Sequence, residues 1–139
     1  MTVLIDGKDL ILGRLCTHVA KKALAGETVE VVNVEKVIIS GSRKNIMARY
    51  KNLREKGTPI QGPFLKRRSR DLFKRSLKKM LPYKRARGQD ALARVKAYKG
   101  IPARFEGKEF ETLQEANLSK LPTTKYVSLQ DVTDFIGGR

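Results

Sequence analysis

Residues 28–40 read TVEVVNVEKVIIS, a run in which Val and Ile occupy neighbouring positions instead of alternating with polar ones. A strand that is apolar on consecutive residues has to be covered on both faces, as in a parallel sheet with helices on either side. The run predicts a buried strand over 29–34, a brief turn at NVEK and a second apolar segment over 37–39. Its flanks agree with that reading. TVLID (2–6) is another β-branched run, and after GKDLILG the residues Leu12, Leu15, Cys16, Val19, Ala23 and Leu24 recur at helical spacing until Gly26. This helix carries Arg14, His18, Lys21 and Lys22 on its polar side. A second helix is predicted over 44–55, with Ile46, Met47, Tyr50 and Leu53 inward. The order strand, helix, strand, helix defines a layered α/β domain.

KGTPIQGPF (56–64) holds two prolines and two glycines and reads as a loop, and the charge changes abruptly beyond it. Basic and acidic residues number 11 and 6 over 1–62, 15 and 2 over 63–104, and 4 and 6 over 105–139, within a net charge of +16 on 139 residues. An excess this large repels itself unless a polyanion neutralises it. The chain therefore divides into a sheet-building half (1–62), a basic segment (63–104) and a mildly acidic tail (105–139), within one domain.

The basic segment opens with Lys66, Arg67 and Arg68. Ser69 is a candidate N-cap for a helix whose apolar stripe is Leu72, Phe73, Leu77, Met80 and Leu81, ended by Pro82. Arg70, Lys74 and Lys78 recur every four residues, flanked by Arg75 and Lys79, so the cations form one continuous face. Lys84, Arg85 and Arg87 follow, and a second short helix is expected over 89–98. In the tail, Ser128 with Asp131 resembles a cap for a short final helix after a strand-like KYVSL, a docking element.

Enzyme chemistry finds little support. Neither G-x-G-x-x-G nor G-x-x-x-x-G-K-[ST] occurs. In IISGSRKN a strand runs through Gly41 and Ser42 into a helix opened by Arg43 and Lys44, which would suit a phosphate and equally well be an ordinary strand-to-helix turn. His18 is the single histidine, Cys16 sits on an apolar helix side, and the acids are scattered singly, so no catalytic residue, metal site or cofactor is expected. A membrane helix is disfavoured because Leu72, Phe73, Leu77 and Met80 are needed for docking, and the amino terminus lacks the layout of a secretory signal. A cytosolic protein is expected. Guanidinium forks and ammonium groups beside Tyr83 and Tyr98 fit nucleic acid better, and structured RNA better than DNA, because no DNA-binding motif is evident. The alternative is a nucleic-acid-processing enzyme, a nuclease or RNA modifier, on a doubly wound sheet.

LILGRL, VVNVEKVIISG, GPF, MLPYK and RARGQDALARVKAYKGIP stand in the order and at the separations found in the L-13 family of large-subunit ribosomal proteins, in its archaeal and eukaryotic branch. The chain resembles that family over about 5–105, and again at YVSL. The resemblance implies a three-layer α/β/α domain with a mainly parallel central sheet, extended by basic helices and loops and a short tail. It further implies a non-enzymatic protein of the cytoplasmic ribosome, active early in subunit assembly, whose partners are large-subunit ribosomal RNA and neighbouring ribosomal proteins, with no membrane and no small-molecule substrate. Arg14, Lys36 and the cations around GPF and MLP occupy motif positions that would face RNA. Two residues depart from the family pattern: Ser69, where proline is frequent, and Lys79, where glycine is.

Overall fold

The computed structural model describes residues 2–138. Strand β1 (Thr2–Asp6) leads through a tight turn into helix α1 (Leu12–Leu24), and β2 (Thr28–Val32) returns beside β1 in parallel, with Val3 opposite Val29 and Ile5 opposite Val31. Asn33 then takes a left-handed conformation (φ 54°), which its short polar side chain tolerates, and donates from Nδ2 to Asp6 Oδ1 at 2.9 Å. That kink starts a single 3₁₀ turn, Val34–Lys36, and redirects the chain before β3 (Ile38–Ser40). Gly7 is required where the two turns meet, because a Cβ there would lie 2.9 Å from Val37 Cγ2 and 3.1 Å from the Val32 carbonyl.

Helix α2 (Arg43–Glu55) is capped by Ser42, whose hydroxyl accepts from the Asn45 amide at 3.3 Å. It buries Ile46, Met47 and Tyr50, as its spacing predicts. The basic segment supplies α3 (Ser69–Met80), α4 (Ala86–Ala93) and β4 (Val95–Ala97), and the tail supplies β5 (Tyr126–Ser128) and α5 (Leu129–Phe135). The fold is mixed α/β, as expected: a three-stranded parallel sheet in the order β1-β2-β4, five helices and an antiparallel β3-β5 pair.

Three local expectations change. The segment over 89–98 is not one helix: α4 ends at Ala93 and Val95–Ala97 becomes an edge strand parallel to β2. β2 offers an unpaired backbone edge, and the Val29–Val95 register pays each strand back in ladder bonds that a continued helix could not make there. Ser69 is not the N-cap; Arg68 is, and Ser69 is the buried first helical residue. Met80, assigned to the docking stripe, is 43% exposed, whereas Phe73 and Leu77 are fully buried and Leu81 is 4% exposed, so the core takes Leu81 and leaves Met80 at the surface.

One apolar cluster joins all parts. Val29, Val31 and Val95 from the sheet, Leu15 and Val19 from α1, Phe73 and Leu77 from α3, and Leu129, Val132 and Ile136 from the tail belong to it. Ser128 caps α5, its Oγ accepting from the Asp131 amide at 3.2 Å. Helix α4 reaches its place only because Gly88 lacks a side chain, since a Cβ there would lie 2.1 Å from the Pro82 carbonyl.

Candidate nucleic-acid interface

The apolar stripe that seats α3 also decides where its charges go. With Leu72, Phe73 and Leu77 inward, Arg70, Lys74 and Lys78 line the opposite flank, facing β4 and α4. Lys74 stands at the centre of three adjoining hollows. The first also holds Arg70, Lys96 and Tyr98; the second, Phe64, Lys66, Arg75 and Lys78; the third, Lys78, Tyr83 and Gln89. A further hollow carries the groove past Arg68 and Ser69 to Lys99. Burial holds the Lys74 ammonium below the usual lysine range; Asp71 opposes that shift, while Arg70, Lys96 and Lys66 add to it. Cations crowded around a partly desolvated ammonium, with one carboxylate among them, form a surface that a polyanion relieves.

The floor beside the groove is held by a buried charge. Glu30, 7% exposed on the central strand, accepts from Arg104 Nη2 at 3.2 Å and from the Tyr98 hydroxyl at 3.3 Å, and Arg104 also contacts that hydroxyl. Arg104 stacks over Tyr98 and Phe105, its guanidinium carbon 4.9 and 4.5 Å from their ring centres. Arg104 is thus engaged within the protein.

The candidate residues read from the sequence separate into groups. Lys66, Arg68, Arg70, Lys74, Arg75 and Lys78 share the groove. Lys79, Lys84, Arg85 and Arg87 are exposed around the turn that carries Tyr83. Arg67 stands apart: its backbone packs against the chain end, where a Cβ on Gly138 would lie 2.0 Å from the Arg67 carbonyl. Arg14 donates to the Glu115 carbonyl at 3.2 Å, and Lys36 is exposed on the 3₁₀ turn. Arg43 lies 3.7 Å from Asp131 at the start of α2, beside the exposed Lys44. Sequence reasoning missed Lys96 and Lys99, which enter the groove because β4 is a strand. The alternation Val-Lys-Ala was the signal that could have found them.

The other reactive side chains are committed to structure. His18 Nε2 lies 3.4 Å from Glu111, which also accepts from Lys22 Nζ at 2.8 Å, so these residues tie the tail to α1. The Lys22 hydrogen bond holds the Glu111 carboxyl below the usual carboxylate range. Among the described residues no group of three or more His, Cys, Asp or Glu is placed to hold a metal ion, and no helix is long and apolar enough to cross a membrane. Cys16 is fully buried, and burial pushes its thiol up to about 12. Thiol-directed reagents at pH 8 are therefore expected to leave the native protein unlabelled and to label one equivalent in urea; rapid native labelling would contradict the packing of α1.

The described residues form a mixed α/β domain that carries a cationic groove along α3 and β4. The Ribosomal protein L13 family profile matches residues 1–104. The chain is 44% identical over 139 residues to the large ribosomal subunit protein uL13 of Methanococcoides burtonii, covering all of this chain and 99% of the relative. The uL13 proteins of Methanosarcina barkeri and Methanocaldococcus jannaschii are 43% and 40% identical, each over all of this chain and 99% of the relative. The chain belongs to the ribosomal protein L13 family. Its relatives are named as ribosomal proteins and not as enzymes, which removes the nuclease or RNA-modifier alternative.

Proposed function

We propose that this protein is a structural constituent of the large ribosomal subunit that binds large-subunit ribosomal RNA through the α3–β4 groove and acts early in subunit assembly, with neighbouring large-subunit proteins as further partners. The observation that carries the reading is the convergence of Lys66, Arg68, Arg70, Lys74, Lys78, Lys96 and Lys99 on one groove. Fixed cations at this density match phosphate oxygens along a folded RNA, whose irregular backbone presents them at uneven spacing. The family membership favours ribosomal RNA as the polyanion, and the groove offers the charge to hold it.

Sedimentation of a cell lysate through a density gradient tests the assignment. The protein is expected to co-migrate with the large subunit at moderate salt and to be stripped from it as salt rises, since phosphate contacts release counterions. A pool found only at the top of the gradient at moderate salt would refute it.

A further inference from the structure

The groove contains one feature that charge neutralisation leaves unexplained. Phe64 is 71% exposed and lines the same hollow as Lys66, Lys74, Arg75 and Lys78. Its position is set by a tight loop: the Thr58 and Gly62 amides and carbonyls exchange hydrogen bonds at 3.3 and 2.9 Å, and the Gln61 amide donates to Thr58 Oγ1 at 3.1 Å. A Cβ on Gly57 would lie 2.2 Å from the Gly62 carbonyl, so only glycine permits this closure. The Phe64 ring edge rests over Gly62, where a Cβ would lie 3.0 Å from Cδ2 and Cε2. The loop holds an aromatic ring beside the cations and leaves most of it uncovered.

The other rings near the cations are already used. Among the described residues, cation–π contacts engage Tyr50, Tyr83, Tyr98 and Phe105, with Lys78 Nζ 4.8 Å from the Tyr83 ring centre, and none engages Phe64. Resting on the reading of the groove as an RNA site, we infer that it takes an unpaired nucleotide, its base stacked on Phe64 and its flanking phosphates held by Lys66, Lys74 and Lys78. A paired duplex keeps its bases stacked on one another and offers this ring only backbone, whereas a splayed base offers a π-face. A protein partner fits less well, because the core of a protein interface is depleted in charge and this ring is surrounded by it. Ile60, 90% exposed at the tip of the same loop, does not line the groove.

The test uses the full chain with two probes at low salt: a short adenine-rich single-stranded RNA carrying 2-aminopurine, and a blunt RNA duplex of equal length. The wild-type protein is expected to prefer the single strand and to change the 2-aminopurine emission on binding. Phe64→Ala should lower single-strand affinity by roughly five- to a hundredfold, the range that loss of one base–aromatic stack gives. Duplex affinity and salt slope should stay unchanged, and Phe64→Trp should restore binding. The ring's exposure lets the substitution leave the fold intact, which an unchanged melting temperature verifies. Equal single-strand affinity in wild type and Phe64→Ala, or a wild-type preference for the duplex, overturns the inference and leaves the groove's RNA assignment standing. Failure of both probes to bind removes that assignment as well.

Discussion

Replacing Arg68, Arg70, Lys74 and Lys78 together with alanine is expected to abolish most RNA affinity while leaving the protein folded. Each neutralised phosphate contributes roughly −0.7 to −0.9 to the slope of log affinity against log salt, so four lost contacts flatten the slope by about three. Hydrogen bonds to charged groups contribute about 1.5 kcal/mol at the low end, so four lost contacts cost about 6 kcal/mol, a loss on the order of 10⁴-fold at moderate salt. Arg70, Lys74 and Lys78 project from α3, Arg68 caps it, and none of the four belongs to the apolar cluster, so the contacts of Phe73 and Leu77 that seat the helix survive. Removing Lys74 also relieves its crowding by Arg70, Lys96 and Lys66. Filter binding across a salt series measures both quantities. An unchanged slope would mean that phosphates are held elsewhere, with Arg14, Lys36 and the Arg43–Lys44 turn as the remaining cationic positions to test.

The second large effect separates the two ends of the α3 stripe. Phe73→Ala removes a ring with no exposed surface from a cluster shared by the sheet, α1 and the tail, and such truncations cost about 3 to 5 kcal/mol. For a chain of this size that corresponds to a fall in melting temperature of roughly 10 to 20 °C. Met80→Ala should cost under about 1 kcal/mol, because the side chain is 43% exposed and its polar neighbour is the Thr17 hydroxyl, 3.7 Å from the sulfur. Urea denaturation of the two variants gives the comparison. Equal costs would mean that Met80 bears on the core as strongly as Phe73, against its placement at the outward end of the helix.

The outcome for Met80 shows where local pattern loses its authority. Helical spacing groups Met80 with Leu77 and Leu81, and all three do lie toward one side of α3. How far the neighbouring elements extend beneath that side is a property of the packed molecule. Ser69 is similar: serine before an apolar stripe is a sound capping signal, yet Arg68 adopts the cap conformation and Ser69 is drawn inward beside β4. By contrast Ser128 caps as expected, and Ser42 caps α2 in the same way, because each precedes its helix directly and bonds an amide three residues on.

The paired elements divide along the same line. The consecutive apolar residues of the 28–40 run demanded burial on both faces, and β2 has it: Val29, Glu30, Val31 and Val32 are all buried, with β1 and β4 on its edges and α1 packed against it. In LARVKAY the short Val-Lys-Ala alternation is the one local sign that three residues leave the helix, and the sheet edge that captures them lies more than sixty residues earlier in the chain. The pairing of β3 with β5 is equally remote, and Asn33, which turns β3 out of the parallel sheet, does so through a bond to Asp6.

The candidate interface follows suit. That the 63–104 segment is cationic, and that Arg70, Lys74 and Lys78 share a helix flank, was settled by composition and by a period of 3.6 residues, both properties of neighbours along the chain. That Lys96 and Lys99 join them, that Arg67 and Arg104 do not, and that Phe64 stands uncovered among them was decided only in three dimensions. Those memberships depend on which edge β4 pairs with, where the tail docks and how the 57–62 loop closes. Local interactions act over three or four residues and are written in the sequence as spacing. A groove is an agreement between distant segments, reached only when burial of a shared core brings them together.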